Sequence, residues 1–466
     1  MKLRHWQAEC VERALTHYTS ISNHFLALAT PGAGKTVMAA EVAMRLFEQD
    51  KIDLVICFSP STEVANGIEK TFSHRLNCLF DGGLGAKGFS FTYQKLLTLS
   101  ERFLLLLESH RVLVILDEVH HCSGNELANA NAWGERILAK IQEKAAFTLS
   151  MTGTPWRSDN IPISLSRYSK DGQHITCDYV YGLGEAVSDK VCRNPRIVLV
   201  DNEKITVHSE NESASYSNLR EMLEGSSVSY QVLLHCKNTM RYLLGLGCDK
   251  LSEIRRINPT AGGLVVASST KHAQVIIKLL RDDLYQTAIL VTHKTPNSDE
   301  VIDKFRHNTT QWIVSVNMVS EGTDIPRLQV CCHLSRIKTE MYFRQILGRV
   351  LRITRAKDQQ AWLYTFAEPL LSDFANRIDQ DIPDNIVIEH HMPTEQVATE
   401  IQVHQESIEQ PTPLVEESAL HFCCPQSDFH YNDESSSSSL SEEVQFKLLG
   451  RFREQVIATF DSPFSV

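Results

Sequence analysis

The run Ala29-Thr30-Pro31-Gly32-Ala33-Gly34-Lys35-Thr36 follows an apolar stretch, Phe25 to Ala29, and opens a helical pattern from Val37 to Phe47. A strand, a glycine-rich turn and a helix in that order commit this part of the chain to an α/β layer whose backbone curls around an anion. Gly32 and Gly34 let backbone N–H groups and the helix N-terminus face phosphates. Lys35 adds a point charge near the terminal phosphates, and the Thr36 hydroxyl can reach Mg²⁺. Ala29 stands where the general pattern has glycine, which leaves the two essential glycines intact.

A second signal is Val112-Leu113-Val114-Ile115-Leu116-Asp117-Glu118-Val119-His120, an apolar strand that ends in two carboxylates. Alone, a strand followed by a solvated acidic turn would explain it. Beside a phosphate loop, Asp117 can hold Mg²⁺ through water and Glu118 can orient and activate an attacking water, with His120 near the γ-phosphate of ATP.

The surrounding texture repeats. Short apolar runs at Phe25 to Ala29, Leu54 to Phe58, Val112 to Leu116 and Phe147 to Met151 alternate with amphipathic segments. A second block shows the same pattern at Leu264 to Ala267, Ala288 to Val291, Trp312 to Val316, Val330 to Leu334 and Trp362 to Thr365. Such alternation predicts parallel sheets flanked by helices, hence an α/β chain with two tandem domains of one kind. We expect a first domain over 1–189, a linker and small helical insert over 190–258, a second domain over 259–368, and an acidic, largely disordered low-complexity tail over 369–466. Within the tail, Glu442 to Phe460 reads as an amphipathic helix.

Net charge is −11, but residues 368–466 carry 19 Asp and Glu against 4 Lys and Arg, which leaves +4 on the rest. The body is therefore compatible with a polyanion partner. None of the 12 cysteines shows the C-x2-C spacing of a zinc site, and His120-His121-Cys122 lacks ligand spacing. No stretch approaches the ~20 apolar residues that cross a bilayer, and Met1 to Trp6 has no signal-peptide character. A cytoplasmic chain that does not span a membrane is expected.

Asp117-Glu118-Val119-His120 resembles motif II of the DEAD/DEAH (DExH) group of superfamily 2 helicases, and further motifs stand in that family's order. Arg4 and Gln7 resemble the upstream motif that reads adenine. Ser59-Pro60-Ser61 and Thr92-Tyr93-Gln94 resemble motifs that touch the nucleic-acid backbone, and Thr152-Gly153-Thr154-Pro155 resembles motif III. Ala267-Ser268-Ser269 resembles motif IV, and Glu321-Gly322-Thr323-Asp324-Ile325-Pro326 resembles motif V. Gln345-Ile346-Leu347-Gly348-Arg349-Val350-Leu351-Arg352 resembles motif VI. Gln345, Arg349 and Arg352 share one helix face.

The resemblance implies two tandem RecA-like P-loop domains and an ATP-dependent nucleic-acid helicase or translocase that uses ATP and Mg²⁺. It implies catalytic roles for Lys35, Asp117, Glu118, His120, Gln345, Arg349 and Arg352. Nucleotide would be held by Arg4, Gln7, Thr30, Gly32, Ala33, Gly34, Lys35, Thr36, Gly322 and Asp324, and Mg²⁺ by Thr36 and Asp117. Strand contacts would fall to Ser59, Pro60, Ser61, Thr92, Gln94, Ser268, Ser269 and Thr323. The segment Val316 to Leu328 looks most like the bacterial and phage branch that includes restriction-enzyme motor subunits and UvsW-like or RadD-like helicases, which favours DNA over RNA. An RNA helicase stays open, as does a nucleotide-gated module that recruits a partner, such as a nuclease, through 200–258 or the tail. Trp156-Arg157 could stack on a base, although a Trp that closes a strand-end turn is more often packed.

Overall fold

The computed structural model describes residues 2–100, 103, 105–124, 130–155, 157, 161–169, 175–208, 213–292, 294–316, 324–354, 360–378, 380, 445–448 and 451–458. The first domain is a sheet whose strands are β1 (His24–Ala29), β2 (Leu54–Ser59), β3 (Gly88–Thr92), β4 (Val112–Asp117) and β5 (Phe147–Thr152). Two short strands, β6 (Arg167–Tyr168) and β7 (Ile175–Thr176), pair with each other, and β8 (Tyr179–Tyr181) returns to the main sheet. The order is β3-β2-β4-β5-β1-β8, and every pair in it is parallel. Strands such as Val112-Leu113-Val114-Ile115-Leu116 are buried from end to end, because helices cover both faces of a parallel sheet.

The register aligns the functional edge. Leu28 pairs with Thr152, and Asp117 pairs with Met151, so β1, β4 and β5 all finish along one line. Side chains just beyond those carboxyl ends are therefore delivered to one crevice.

The second domain is built from β9 (Asn194–Asn202), β10 (Ile205–His208), β11 (Ser213–Tyr216), β12 (Gly262–Ala267), β13 (Ala288–Val291), β14 (Trp312–Ser315), β15 (Leu328–Leu334), β16 (Gln360–Phe366), β17 (Gln445–Leu448) and β18 (Phe452–Ile457). Its main sheet runs β13-β14-β12-β15-β16-β9-β18, parallel except for the antiparallel edge strand β18. The chain thus repeats the doubly wound plan, as its alternating pattern led us to expect.

Two regions differ from their sequence reading. Residues 190–258 do contain helices, the longest being Lys237–Ile257, but they also supply β9, which pairs with β16 along its length. That helix lies directly on the second sheet. A Cβ placed at Gly247 would stand 2.5 Å from Cys332 Sγ and 3.2 Å from the Trp312 ring. The polar look of residues 200–217 masked the apolar core of β9, Ile197 to Val200, which is buried.

The expected helix over Glu442 to Phe460 is overturned. Residues 445–448 and 452–457 are strands, pairing with β10 and β9 respectively. In the sequence a glycine at 450 disfavours a continuous helix, and the β9 edge offers a row of backbone partners. The Phe452 ring stacks on Tyr242, with centroids 4.0 Å apart. Within the tail, Pro369–Asn376 is a helix capped by the Glu368 carboxylate, which accepts from Leu371 N–H at 3.1 Å. Residues 381–444 lie outside the described part.

Candidate active site

The phosphate loop takes the conformation its glycines permit. Gly32 and Gly34 have φ of 84° and 96°, in the left-handed region that a side chain would strain. Gly34 also meets the N-terminal segment: a Cβ there would stand 2.8 Å from Gln7 Nε2. Gln7 Nε2 donates to the Gly34 carbonyl at 3.0 Å, Arg4 donates to the Ala33 carbonyl at 2.6 Å, and Arg4 N–H donates to Gln7 Oε1 at 2.8 Å. Arg4 and Gln7 therefore lie on the loop. Thr30 N–H donates to Tyr181 carbonyl at 3.0 Å and Thr30 carbonyl accepts from Ala33 N–H at 3.2 Å, which ties the loop to β8. Lys35 and Thr36 open the helix Lys35–Glu48, with Thr36 half-buried in its first turn.

Lys35 Nζ lies 3.0 Å from Glu118 Oε1 and donates to the Ala29 carbonyl at 3.2 Å. Glu118 has φ of 50°, a strained value for a non-glycine residue at a strand end. Its other oxygen accepts from Gly153 N–H at 3.1 Å and Thr152 hydroxyl at 3.3 Å. Burial alone would raise the Glu118 carboxyl, but the Lys35 charge and the hydrogen bonds from Lys35 and the Gly153 N–H outweigh it and hold the group low. Asp117 goes the other way. It is 6% exposed, and burial together with the neighbouring Glu118 charge raises its carboxyl. Asp117 Oδ1 is buried without a hydrogen-bond partner, so this carboxylate fits a ligand to a hydrated divalent cation.

His120 is buried beside them. Its Nδ1 is 2.8 Å from Thr152 Oγ1, and burial followed by the His121 charge lowers it well below the ordinary imidazole range. Arg157 donates to the His120 carbonyl, so it faces inward, while Trp156 lies outside the described residues.

The second domain closes the crevice. Gln345 Nε2 approaches His120 Nε2 at 3.5 Å, and Gly348 packs against Pro31, where a Cβ would stand 2.7 Å from Pro31 Cβ. Arg352 Cγ is 3.4 Å from the position a Gly32 Cβ would take, and its guanidinium pairs with Asp324. Burial lowers Arg352 to about 10, which leaves it charged at neutral pH. Arg349 is half-buried on the helix Glu340–Val350, whereas Arg352 lies beyond its end in an isolated bridge to Cys192, so the expected single helix face holds only Gln345 and Arg349. The Arg349 charge, with that of Arg306, pulls against the burial that raises Glu63 of the first domain. Gly322 and Thr323 lie outside the described residues.

The expected strand-contacting residues fall into two places. Ser59 pairs in register with Thr92. Ser59 is buried, its hydroxyl donating to the Ser61 and Phe91 carbonyls at 3.3 and 3.4 Å, while Ser61 caps the helix Thr62–Leu76 by accepting from Val64 N–H. Pro60 and Thr92 are half-buried at the same edge, and Gln94 Oε1 is buried there without a partner. In the second domain Ser268 Oγ lies 2.8 Å from His272 Nδ1 and 3.2 Å from His235 Nε2, and Ser269 caps the helix Thr270–Lys278. Those histidines and the cross-domain pair Arg306 and Glu63 at 3.2 Å were missed in the sequence, and Gly348 was read only as part of motif VI, without its contact with Pro31. A glycine inside an amphipathic helical pattern was the one available signal, since it marks a close approach.

The comparisons with known proteins bear on the family and the fold. Residues 1–157 match the family described as type III restriction enzyme, res subunit, and residues 248–354 match the helicase conserved C-terminal domain. These two matches, in this order along the chain, support the DExH-type helicase family of superfamily 2. The chain is 30% identical over 392 residues to an uncharacterized protein of Mycobacterium leprae, covering 81% of its own length and 64% of that protein. It therefore spans less than two thirds of that relative. It is 24% identical over 408 residues to a DNA 3'-5' translocase of Sulfurisphaera tokodaii, covering 80% of this chain and 83% of that one. Among solved structures, it is similar to a fragment described as an HsdR subunit of a type I restriction enzyme from Vibrio vulnificus. The TM-score is 0.56 at 17% identity, over 82% of this chain and 67% of that one, which speaks for the two-domain fold. Among the described residues no helix is long and apolar enough to cross a membrane, and no cluster of three or more His, Cys, Asp and Glu could hold a metal ion.

Proposed function

We propose that this helicase hydrolyses ATP in the cleft between its two domains and uses domain closure to move along DNA in the cytoplasm. The observation that carries this reading is the split site. Lys35 and Glu118 stand 3.0 Å apart on one wall, and Arg352 of the other wall presses its stem against Gly32. A site divided in this way is complete only when the domains close, so turnover and movement are linked.

Within it, the loop N–H groups and Lys35 take the phosphates, and Arg4 and Gln7 take the base. Mg²⁺ bound by Thr36 and Asp117 would supply charge neutralisation on the phosphates. Glu118, kept ionised by Lys35 and its hydrogen-bond donors, orients the attacking water. Arg349 and Arg352 stabilise charge on the transferred group, and His120 and Gln345 report the state of one domain to the other. Ser59 to Ser61, Thr92, Gln94, Ser268, Ser269 and Thr323 are proposed to follow the strand backbone. DNA is preferred because the matched family is that of restriction-enzyme res subunits and a relative is named a DNA translocase.

Purified protein should hydrolyse ATP faster with single-stranded or forked DNA than with RNA or with no nucleic acid. Absence of stimulation by any polynucleotide would refute the motor, and stronger stimulation by RNA would refute the choice of DNA.

A further inference from the structure

The two domains are joined at a point where consecutive residues face opposite ways. Cys192 Sγ lies 3.5 Å from the Pro31 carbonyl of the phosphate loop, and Cys192 forms an isolated antiparallel bridge with Arg352. The next residue, Arg193, is 0% exposed and belongs wholly to the second domain. Its backbone N–H donates to the Leu351 carbonyl at 2.7 Å. Its guanidinium donates to the Leu328 carbonyl at 2.5 Å, to Val350 at 3.1 Å, to Pro326 at 3.0 Å and to the Thr354 hydroxyl at 3.4 Å. β9 begins immediately afterwards, at Asn194.

Burying a guanidinium is costly, and its planar fork matches several fixed acceptors at once. Here the acceptors come from two segments that must keep register with the nucleotide. Pro326 and Leu328 follow the loop that carries Asp324. Val350 and Thr354 flank Arg352 at the end of the helix Glu340–Val350. A lysine could satisfy only part of this set from one point charge.

We propose that Arg193 is a positioning residue that locks the interdomain connection to both the Asp324-bearing segment and the segment that bears Arg349 and Arg352, so that motion of the first domain at Cys192 reaches that arginine pair without slack. The inference rests on the proposed ATP cleft. It adds that the precision of the arginine pair is set at the hinge rather than within its own helix.

The test compares wild type with Arg193→Met and Arg193→Lys in the full chain. Three quantities are read: ATP turnover with saturating DNA, the thermal midpoint, and the affinity for ADP–beryllium fluoride relative to ADP. Arg193→Met should lower kcat by about tenfold or more, leave KM for ATP within about twofold, and lose the preference for the phosphate analogue. Arg193→Lys should fall between the two. If Arg193→Met does not fold, Arg193→Lys carries the test alone, and a kcat and analogue preference equal to wild type in either folded variant overturn the proposal. A parallel rise in KM with unchanged kcat also overturns it. If wild type hydrolyses no ATP, the proposed function fails, while the analogue preference still decides the role of Arg193.

Discussion

His120 and Gln345 meet across the domain interface with their Nε2 atoms 3.5 Å apart. An amide NH₂ can only donate, so His120 Nε2 is the acceptor and the ring proton sits on Nδ1, directed at Thr152 Oγ1 2.8 Å away. One neutral imidazole thereby links motif II, motif III and motif VI. Gln345→Ala should leave ATP binding intact and reduce DNA-stimulated turnover by roughly 5- to 150-fold, the usual span of a coupling energy. Equal stimulation in the variant would show that the contact carries no coupling. Because the folded His120 is lowered below its ordinary 6.5, it stays neutral as pH falls through 6.5 while the unfolded chain takes up a proton. Its contribution to stability is therefore full above that value and is lost as pH falls further. The coupling should persist to the same acid limit.

Lys35 Nζ and Glu118 Oε1 form an ion pair at 3.0 Å. Nucleotide must displace that partner. Glu118→Gln should therefore bind ATP somewhat more tightly, by up to about fivefold for an ion pair of roughly 1 kcal/mol. Turnover should fall by about 10²- to 10⁴-fold with loss of the general base. Weaker binding in the variant, measured by titration calorimetry, would show that the pair does not compete with ATP.

Asp117 is raised by burial and by Glu118. A raised carboxyl binds its proton more tightly in the folded chain, so its charge costs stability as pH rises above the unfolded value of 3.8. Asp117→Asn should thus raise the melting temperature of the nucleotide-free protein near neutral pH, by about 2–4 °C per kcal/mol relieved. The gain should vanish under acid conditions, and turnover should be abolished. A lower melting temperature at neutral pH would contradict the assigned direction.

Most of the first wall was legible because its chemistry is local. Gly32, Gly34 and Lys35 lie within four residues, and Asp117 ends, with Glu118 directly after it, a strand whose other residues are all apolar. The second wall was legible only in part. The helical spacing of Gln345, Arg349 and Arg352 gave a face, but not its contact with Pro31 or His120, which depends on two chains of packing far apart in sequence. Arg193 and β9 were hidden because residues 200–217 are polar and drew the whole of 190–258 into a linker. β17 and β18 were misread because an edge strand needs apolar contact at few positions. Arg453, Glu454 and Gln455 are exposed on β18, which gives it no clean alternation.

Gly348 tests whether the domains must touch as closely as they do. A methyl there would stand 2.7 Å from Pro31 Cβ, although alanine is the better helix former by about 0.5–1 kcal/mol. Gly348→Ala should therefore leave the second domain as stable as before, or slightly more so, while lowering turnover by tenfold or more, an effect on the order of 1.4 kcal/mol. Thermal unfolding and steady-state ATP hydrolysis separate the two outcomes. Full turnover in the variant would mean that Pro31 yields without cost.

The acidic stretch between 381 and 444 holds fourteen Asp and Glu with no Lys or Arg, against +4 for the chain before residue 368. Such a tethered polyanion should compete with DNA for the body. Truncation near Ala367 would confuse the test, because it removes the helix Pro369–Asn376, whose Leu371, Phe374 and Ala375 are buried, together with β17 and β18. Replacing the fourteen carboxylates by their amides in the full chain keeps those elements. At about 20 mM salt, where screening reaches only beyond ~20 Å, the amide variant should bind a short single strand about tenfold more tightly than wild type. Near 1 M salt, where the screening length is about 3 Å, the two should converge. Identical affinities at low salt would mean that the acidic stretch does not reach the nucleic-acid path, and a difference that survives high salt would mean that its effect is not electrostatic.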